Sequence, residues 1–384
     1  MSARPCLAYV VNTLNPGGTE RLVFEMSVRF SKDFDLLVVC LDDVGAWGRE
    51  LRARGIAVHC VWRQPGLDLS MPRRLANLFR AHGVRIIHAH QCTPWFYAAL
   101  SRLHYSEPRL LLEEHGRFFP EVPNAKRALV NRLLIRKLTH RFVGVSEDIR
   151  NRLHRYEGLD LGEIEVVYNG VAPQPALEAD ARRAKRVALG FADTDFVVGT
   201  VGRFDPIKNL PMLIDGIAGA AGKVPSVRGL LVGDGPEMPA VRVRLAATGQ
   251  TERIVLTGFR QDARELAQCM DLFVLASFSE GTSMALLEAM SARVPVAVTR
   301  VGGNPEIVSA GQTGWVVESG AVPELVEAII EAATDPGRRA GFAEAGLRRF
   351  EERFSFERML GLYRSMYEQW LPAPAKHGEA PQAT

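Results

Sequence analysis

The chain has 384 residues, 47% of them hydrophobic and 24% charged, with a net charge of +3. That length exceeds what one core usually supports and predicts two domains, while the composition excludes a disordered or fibrous protein. So small a net charge gives no ground for nucleic-acid binding, and any basic partner surface must be local.

Five cysteines, Cys6, Cys40, Cys60, Cys92 and Cys269, are scattered without C-x-x-C spacing. They predict neither a disulfide framework nor a zinc site, and they suit a reducing compartment. No apolar run reaches the ~18 residues that span a bilayer, and the start MSARPCLAYVVNTLN lacks the h-region of a signal peptide. A cytoplasmic location is therefore expected.

Short β-branched runs alternate with longer amphipathic ones, the pattern of repeated βα units with a parallel sheet covered on both faces. Over residues 1–172 strands are predicted at CLAYVVN (from Cys6), DLLVVCL (Asp35), AVHCVW (Ala57), RIIHAH (Arg85), RLLLEEH (Arg109), RFVGVS (Arg141) and IEVVYNG (Ile164). Seven strands complete one doubly wound α/β sheet. After the first of them, NPGGTE sets Gly17 and Gly18 at the opening of a helix near Thr19. Glycine lets the backbone approach an anion, and a helix N-terminus offers free N–H groups, so this is either a phosphate or acceptor contact or a plain tight turn. His88 and His90, in IIHAHQ at a strand end, read as structural or as functional. Residues 124–141, NAKRALVNRLLIRKLTHR, hold six Lys or Arg, no acid, and apolar residues at 130, 133, 134 and 138. Such a basic amphipathic helix either lies on an anionic membrane surface or packs its apolar face into the domain.

From Val171 the sequence VAPQPALEADARRAKR reads as a linker, and a second domain is expected over residues 173–353. Its strands are FVVGTVG (from Phe196), RGLLVGDG (Arg228), RIVLTGF (Arg253), DLFVLAS (Asp271), VPVAVTRVGG (Val294) and GWVVE (Gly314), again a doubly wound sheet. In VGRFDPIKN, Arg203 and Lys208 follow a strand end; they either neutralise a diphosphate without a metal or are solvated surface charges. LVGDGPE and LTGF end strands in glycine turns that suit backbone contact with a flat ligand. In FSEGTSMALLEA, Glu280 stands at a strand's carboxyl end, Gly281 permits a sharp turn, and Thr282 or Ser283 caps the next helix. A carboxylate at Glu280 can accept bonds from sugar hydroxyls and one at Glu288 from a vicinal diol; the plainer alternative is one helix-dipole partner and one exposed acid. Residues 354–372 predict a final helix with one buried face (Phe356, Leu360, Tyr363, Tyr367, Trp370), and residues 373–384 a disordered tail. Ligands of open α/β sheets bind outside the carboxyl ends of the strands, so the chemistry is expected in these loops.

The ordered set GGTE, EEHG, TVGRFDPIKN, LVGDGP, LTGF, SEGTSMALLEAM and VGGNPEIV resembles family 4 of the retaining glycosyltransferases, over residues 6 to 370. The resemblance implies the GT-B fold, two facing Rossmann-like domains: acceptor side 1–172, donor side 173–353, and a last helix, 354–372, crossing back to the first. It implies that Arg203 and Lys208 hold the donor's diphosphate, and that Glu280 with the backbone of Gly281, Thr282, Ser283 and Met284 contacts the sugar. Glu288 would take the ribose hydroxyls, Phe259 and Arg260 the base, Gly17 and Gly18 a further donor contact, and His115 of EEHG the sugar face. In the family an aromatic or aliphatic residue and then glycine or proline often follow the Glu-Gly pair, so Thr282 and Ser283 suggest a more polar sugar pocket and leave the sugar open.

The expectation is a hexosyltransferase that moves sugar from a nucleotide diphosphate donor to a saccharide or lipid-linked saccharide hydroxyl, in surface polysaccharide or exopolysaccharide assembly. It would need no cofactor or metal and would be cytoplasmic, peripheral to the membrane if residues 124–141 touch it. A nucleotide-sugar 2-epimerase, a sugar phosphorylase and a non-catalytic nucleotide-sugar-binding partner remain alternatives. A dehydrogenase is disfavoured, because NPGGTE stands where G-x-G-x-x-G belongs.

Overall fold

The computed structural model describes residues 4–116 and 120–371; the tail expected from residue 373 lies outside them. The first seven strands are β1 (Cys6–Thr13), β2 (Asp35–Asp43), β3 (Ala57–Cys60), β4 (Val84–His90), β5 (Arg109–Glu114), β6 (Arg141–Gly144) and β7 (Ile164–Val166). The next six are β8 (Phe196–Val201), β9 (Val227–Val232), β10 (Ile254–Leu256), β11 (Leu272–Leu275), β12 (Val296–Thr299) and β13 (Trp315–Val317). Every predicted strand is present. The first sheet has the order β3-β2-β1-β4-β5-β6-β7 and the second β10-β9-β8-β11-β12-β13. The second sheet is parallel throughout, as is the first from β3 to β5.

Parallel strands are buried on both faces, which is why they read as near-continuous apolar runs. The second sheet shows this directly. Val198, Leu272 and Val274 enter one core cluster, whereas their neighbours Val197, Phe273 and Leu275 enter another. Successive side chains point to opposite faces, so each strand divides its residues between the two. In both sheets the strand order reverses beside the first strand, between β1 and β4 and between β8 and β11. Loops leaving the carboxyl ends of such a pair diverge to opposite faces and open a crevice.

By its contacts the chain forms two compact units. Among the described residues, one comprises 4–113, Arg132–Phe142 and 360–371; the other comprises 114–116, 120–131 and Val143–Met359. In the last helix, Phe356–Glu368, the expected Phe356, Leu360, Tyr363 and Tyr367 are buried together with Met359 and Met366, whereas Trp370 lies beyond the helix end and is only half-buried. In the first unit Tyr367 packs edge-on against Phe30 and Phe34, and Arg364 pairs with Asp33 at 2.6 Å. Segment 124–141 is not one helix. It consists of an α-helix Ala125–Val130, a π turn Asn131–Ile135 and a 3-10 turn Arg136–Leu138, ahead of β6.

Candidate active site

Lys208 and Glu280 leave the two strands that flank the reversal in the second sheet. β8 runs into Gly202-Arg203-Phe204 and then a 3-10 turn, Pro206–Lys208, whose end is fixed by Asn209 in the left-handed region at φ +47°. β11 runs into Ser277-Phe278-Ser279-Glu280, and the two loops are tied by Phe278 N–H donating to Ile207 C=O at 2.8 Å. Lys208 Nζ then reaches Glu280 Oε1 at 2.6 Å, and Ser277 Oγ donates to the same oxygen at 2.6 Å. The lysine remains 26% exposed. A small concavity beside it is lined by Gly202, Arg203, Phe204, Lys208 and Ala276. Arg203 is exposed, 3.4 Å from Asp205, and reaches outward from the same rim.

Gly281 has a packing reason beyond a sharp turn: a Cβ there would lie 2.2 Å from the His115 carbonyl oxygen. Only a hydrogen fits between the two loops. His115 itself is buried. Gly302 closes the other side; its φ of +51° and a would-be Cβ contact of 1.9 Å with the Glu280 carbonyl both demand glycine. Gly303 N–H donates to that carbonyl at 3.0 Å. The Glu280-Gly281 turn is thus held from two sides by backbone.

The helix that follows is Met284–Ser291, capped by Ser283, whose hydroxyl accepts from Leu286 N–H at 3.4 Å. Thr282 is not the cap, because its hydroxyl donates to the Val145 carbonyl. Of the two hydroxyls expected to make the sugar pocket polar, that of Thr282 is bonded to a carbonyl from a distant part of the chain and that of Ser283 accepts from its own helix. Glu288, one turn into this helix, is buried, and Arg264 Nε meets its Oε1 at 2.8 Å. On the turn after β10, Phe259 is exposed, and Arg260 makes two bonds to Asp262 at 2.8 and 2.9 Å. Those bonds, helped by Lys185, hold the Asp262 carboxyl down to about 2.

Residues 195–335 match the family Glycosyl transferases group 1, and residues 16–174 match Glycosyltransferase Family 4. The chain belongs to the group 1, family 4 glycosyltransferases. N-acetyl-alpha-D-glucosaminyl L-malate synthase of Bacillus anthracis is 25% identical over 314 residues, 80% of this chain and 81% of that relative. The Vi polysaccharide biosynthesis protein VipC/TviE of Salmonella typhi is 31% identical over 211 residues, 53% of this chain and 36% of that one. Among solved structures, Anabaena Alr3699/HepE in complex with UDP matches with a TM-score of 0.84 at 23% identity, over 95% of this chain and 100% of that chain. The two sheets are accordingly the Rossmann-like pair of the GT-B fold.

In this glycosyltransferase Arg203, Lys208, Glu280, Gly281, Thr282, Ser283, Met284, Glu288, Phe259, Arg260 and His115 all belong to the second unit; within it Lys208 meets Glu280, and Gly281 abuts the His115 carbonyl. Gly17 and Gly18 belong to the first unit, where Gly17 caps the helix Gly18–Phe30 with no side-chain bond. His88 and His90 are also there, fully buried. His88 Nε2 and His90 Nδ1 lie 2.8 and 3.2 Å from Glu113 Oε2, and His88 Nδ1 lies 2.7 Å from the Tyr367 hydroxyl.

Sequence reasoning gave no role to Ser277, Arg264 or Glu306. Glu306, in the VGGNPEIV motif, accepts from Glu147 N–H at 2.8 Å, Asp148 N–H at 3.0 Å and the Tyr168 hydroxyl at 2.9 Å. It thereby caps the helix Glu147–Glu157 from a distant part of the chain. Its motif was visible, but an acid in the first turn of its own short helix gives no sign of what it reaches.

Proposed function

We propose that this glycosyltransferase moves a sugar from a nucleoside diphosphate sugar to a saccharide hydroxyl, with retention of configuration and without a metal. Residues 173–353 serve the donor and residues 1–172 the acceptor. The observation that carries the reading is the Lys208–Glu280 pair at the reversal of the second sheet, beside the amino end of the helix Met284–Ser291.

Bond breaking at the anomeric carbon leaves negative charge on the departing diphosphate and positive character on the ring. Lys208, Arg203 and the helix N-terminus supply fixed positive charge where the diphosphate leaves, and so perform the task a metal would otherwise perform. Glu280, steadied by Ser277, accepts from sugar hydroxyls once Lys208 shifts toward phosphate. Glu288, oriented by Arg264, accepts from the ribose diol. His115 positions the sugar. The acceptor hydroxyl attacks on the face the diphosphate leaves, and a leaving phosphate oxygen takes its proton.

The solved Anabaena protein holds UDP and the Salmonella relative is a polysaccharide biosynthesis protein, which favours a uridine donor and a role in polysaccharide assembly. Thermal unfolding with UDP, GDP, ADP and CMP in turn tests the donor half. A ligand at 100 times its Kd stabilises by about 2.7 kcal/mol. A selective shift with one diphosphate, lost in Glu288→Ala, is expected. No shift with any of the four at millimolar concentration contradicts the reading.

A further inference from the structure

Among the described residues four other than glycine have a positive φ: Trp62, Gln91, Asn209 and Arg293. Arg293 precedes β12, at a strand's amino end. The other three stand just past carboxyl ends, Trp62 after β3, Gln91 after β4 and Asn209 after β8. Asparagine tolerates such backbone, but tryptophan or glutamine there is strained, and strain that persists gathers at ligand sites. Asn209 closes the turn that carries Lys208. Trp62 and Gln91 belong to the first unit.

Trp62, at φ +50°, is 61% exposed, although the chain around it is tightly fastened. Arg63 N–H donates to the Leu41 carbonyl at 2.7 Å, and its guanidinium meets both Asp42 oxygens at 2.8 Å. Buried Asp68 accepts from the N–H groups of Gln64, Ser70 and Met71 at 3.1, 3.0 and 3.2 Å. Arg74 pairs with Asp68 and also reaches the Trp62 carbonyl at 3.4 Å. A rigid loop therefore holds the indole out in water. Gln91, at φ +76° and ψ +160°, occupies a region nearly restricted to glycine. Its N–H donates to the Glu113 carbonyl at 2.8 Å, and its side-chain oxygen accepts from Asn12 Nδ2 at 2.9 Å. The two amides thus bridge β1 and β4, where the sheet order reverses.

An aromatic ring offers a flat apolar face to the C–H face of a sugar, and amides both donate to and accept from hydroxyls. The cations of the Trp62 loop are spent, Arg63 on Asp42 and Arg74 on Asp68. Between Trp62 and Gln91, β2 ends in Asp43, whose carboxylate accepts from Asn15 Nδ2 at 2.9 Å. Such a rim suits a neutral polyol and disfavours phosphate or carboxylate. Neighbouring strands are ~4.8 Å apart, and β2 and β1 separate β3 from β4, so the two strained residues stand about 14 Å apart across the sheet. One sugar ring is too short to touch both, whereas a trisaccharide reaches.

We propose that the first unit binds the acceptor as a neutral oligosaccharide, with Trp62 stacked on a sugar ring at one end and the Asn12 and Gln91 amides bonded to hydroxyls at the other. The inference rests on the reading that this unit serves the acceptor.

Saturation-transfer NMR on the full chain without nucleotide tests it, with neutral mono-, di- and trisaccharides of glucose, galactose and mannose as probes beside their phosphate esters. Binding of at least one trisaccharide, and weaker binding of the matching monosaccharide, is the expected result. Trp62→Ala should lower trisaccharide affinity about tenfold and hardly alter that of the monosaccharide, and Trp62→Phe should recover most of the loss. Gln91→Gly removes the amide and the strain together, so every length should bind severalfold more weakly while the melting temperature does not fall. Leu67 and Leu69 of the same loop are 64 and 80% exposed, and changing both to Ser should leave binding intact. No binding of any probe, equal affinity at every length, preference for phosphate esters, or unchanged affinity in Trp62→Ala overturns the proposal. So does a lower melting temperature with binding retained in Gln91→Gly. A dimer that the Leu67 and Leu69 variant dissociates while no saccharide binds would assign the loop to a protein contact and overturn it equally. The shift with UDP is a separate measurement, so saccharide binding can fail with donor binding intact, and the reverse.

Discussion

His88, His90 and Glu113 close the ends of β4 and β5, and Lys208 and Glu280 lie beyond the ends of β8 and β11, so each group stands beside the strand reversal of its sheet. Position alone would nominate both as sites. Their surroundings separate them. The histidine group is 0% exposed, with one carboxylate oxygen of Glu113 meeting a nitrogen of each imidazole, the two rings stacked at 4.2 Å, and with Tyr367 against His88. The lysine pair keeps an open side, with Lys208 26% exposed, and on the proposed function its members exchange each other for a ligand's phosphate and hydroxyls. Where burial seals the partners together, as in the histidine group, the polar residues serve to hold the last helix to the sheet through Tyr367.

The largest effect should therefore come from the sealed group and fall on stability. Glu113→Ala leaves two buried imidazoles without their carboxylate and should cost about 3 kcal/mol or more in urea unfolding. A loss below about 1 kcal/mol would show that this group is not the fastening we describe. Acid should act on the same place. Burial, and next the His88 ring, push His90 down to about 4 from an ordinary 6.5. The unfolded chain then takes the proton first, so the contribution is complete above pH 6.5 and disappears as pH falls toward 4. Over that window the loss is about 3 kcal/mol, visible as a falling urea midpoint that His90→Asn should flatten.

The open pair should respond in catalysis instead. Lys208→Ala should lower kcat and kcat/KM together, by roughly a hundredfold, since its charge matters most as the diphosphate departs. Unchanged turnover with only a raised KM would place Lys208 in ground-state binding. Glu288→Ala should weaken free nucleotide about tenfold by calorimetry, whereas Glu280→Ala should impair transfer with the bare nucleotide still bound. Equal loss of nucleotide affinity in both would erase the division between sugar and ribose carboxylates.

What the sequence disclosed follows from locality. Parallel strands are legible because double-faced burial forces continuous apolar runs, and all thirteen segments from Cys6 to Trp315 were found that way. Glu280-Gly281 was legible as a sharp turn at a strand's carboxyl end, but the packing reason for its glycine was not. The His115 carbonyl that excludes a side chain there comes from another strand end. Thr282 and Ser283 looked alike as caps, and only the Val145 carbonyl separates them. Segment 124–141 announced an apolar stripe, yet periodicity cannot say whether a stripe faces core or water, and a π turn shifts the register midway.

Glu306 offers the smallest effect and the finest test of the comparison, because it is a buttress inside the open unit. Its carboxylate accepts two backbone N–H groups at the amino end of Glu147–Glu157, a helix already capped by the Ser146 hydroxyl at 3.1 Å. Glu306→Gln keeps the shape and one acceptor oxygen but removes the charge facing the helix dipole, so its cost should be about 1 kcal/mol. The same turn carries Gly303, whose N–H holds the Glu280 carbonyl, so loosening Glu306 should also let Glu280 drift. Turnover should then fall severalfold with nucleotide affinity unchanged, since Glu288 stands on a different helix. A variant that loses stability but retains full kcat would make Glu306 a helix cap and nothing more, and the Glu280-Gly281 turn would owe its position to its glycine contacts alone.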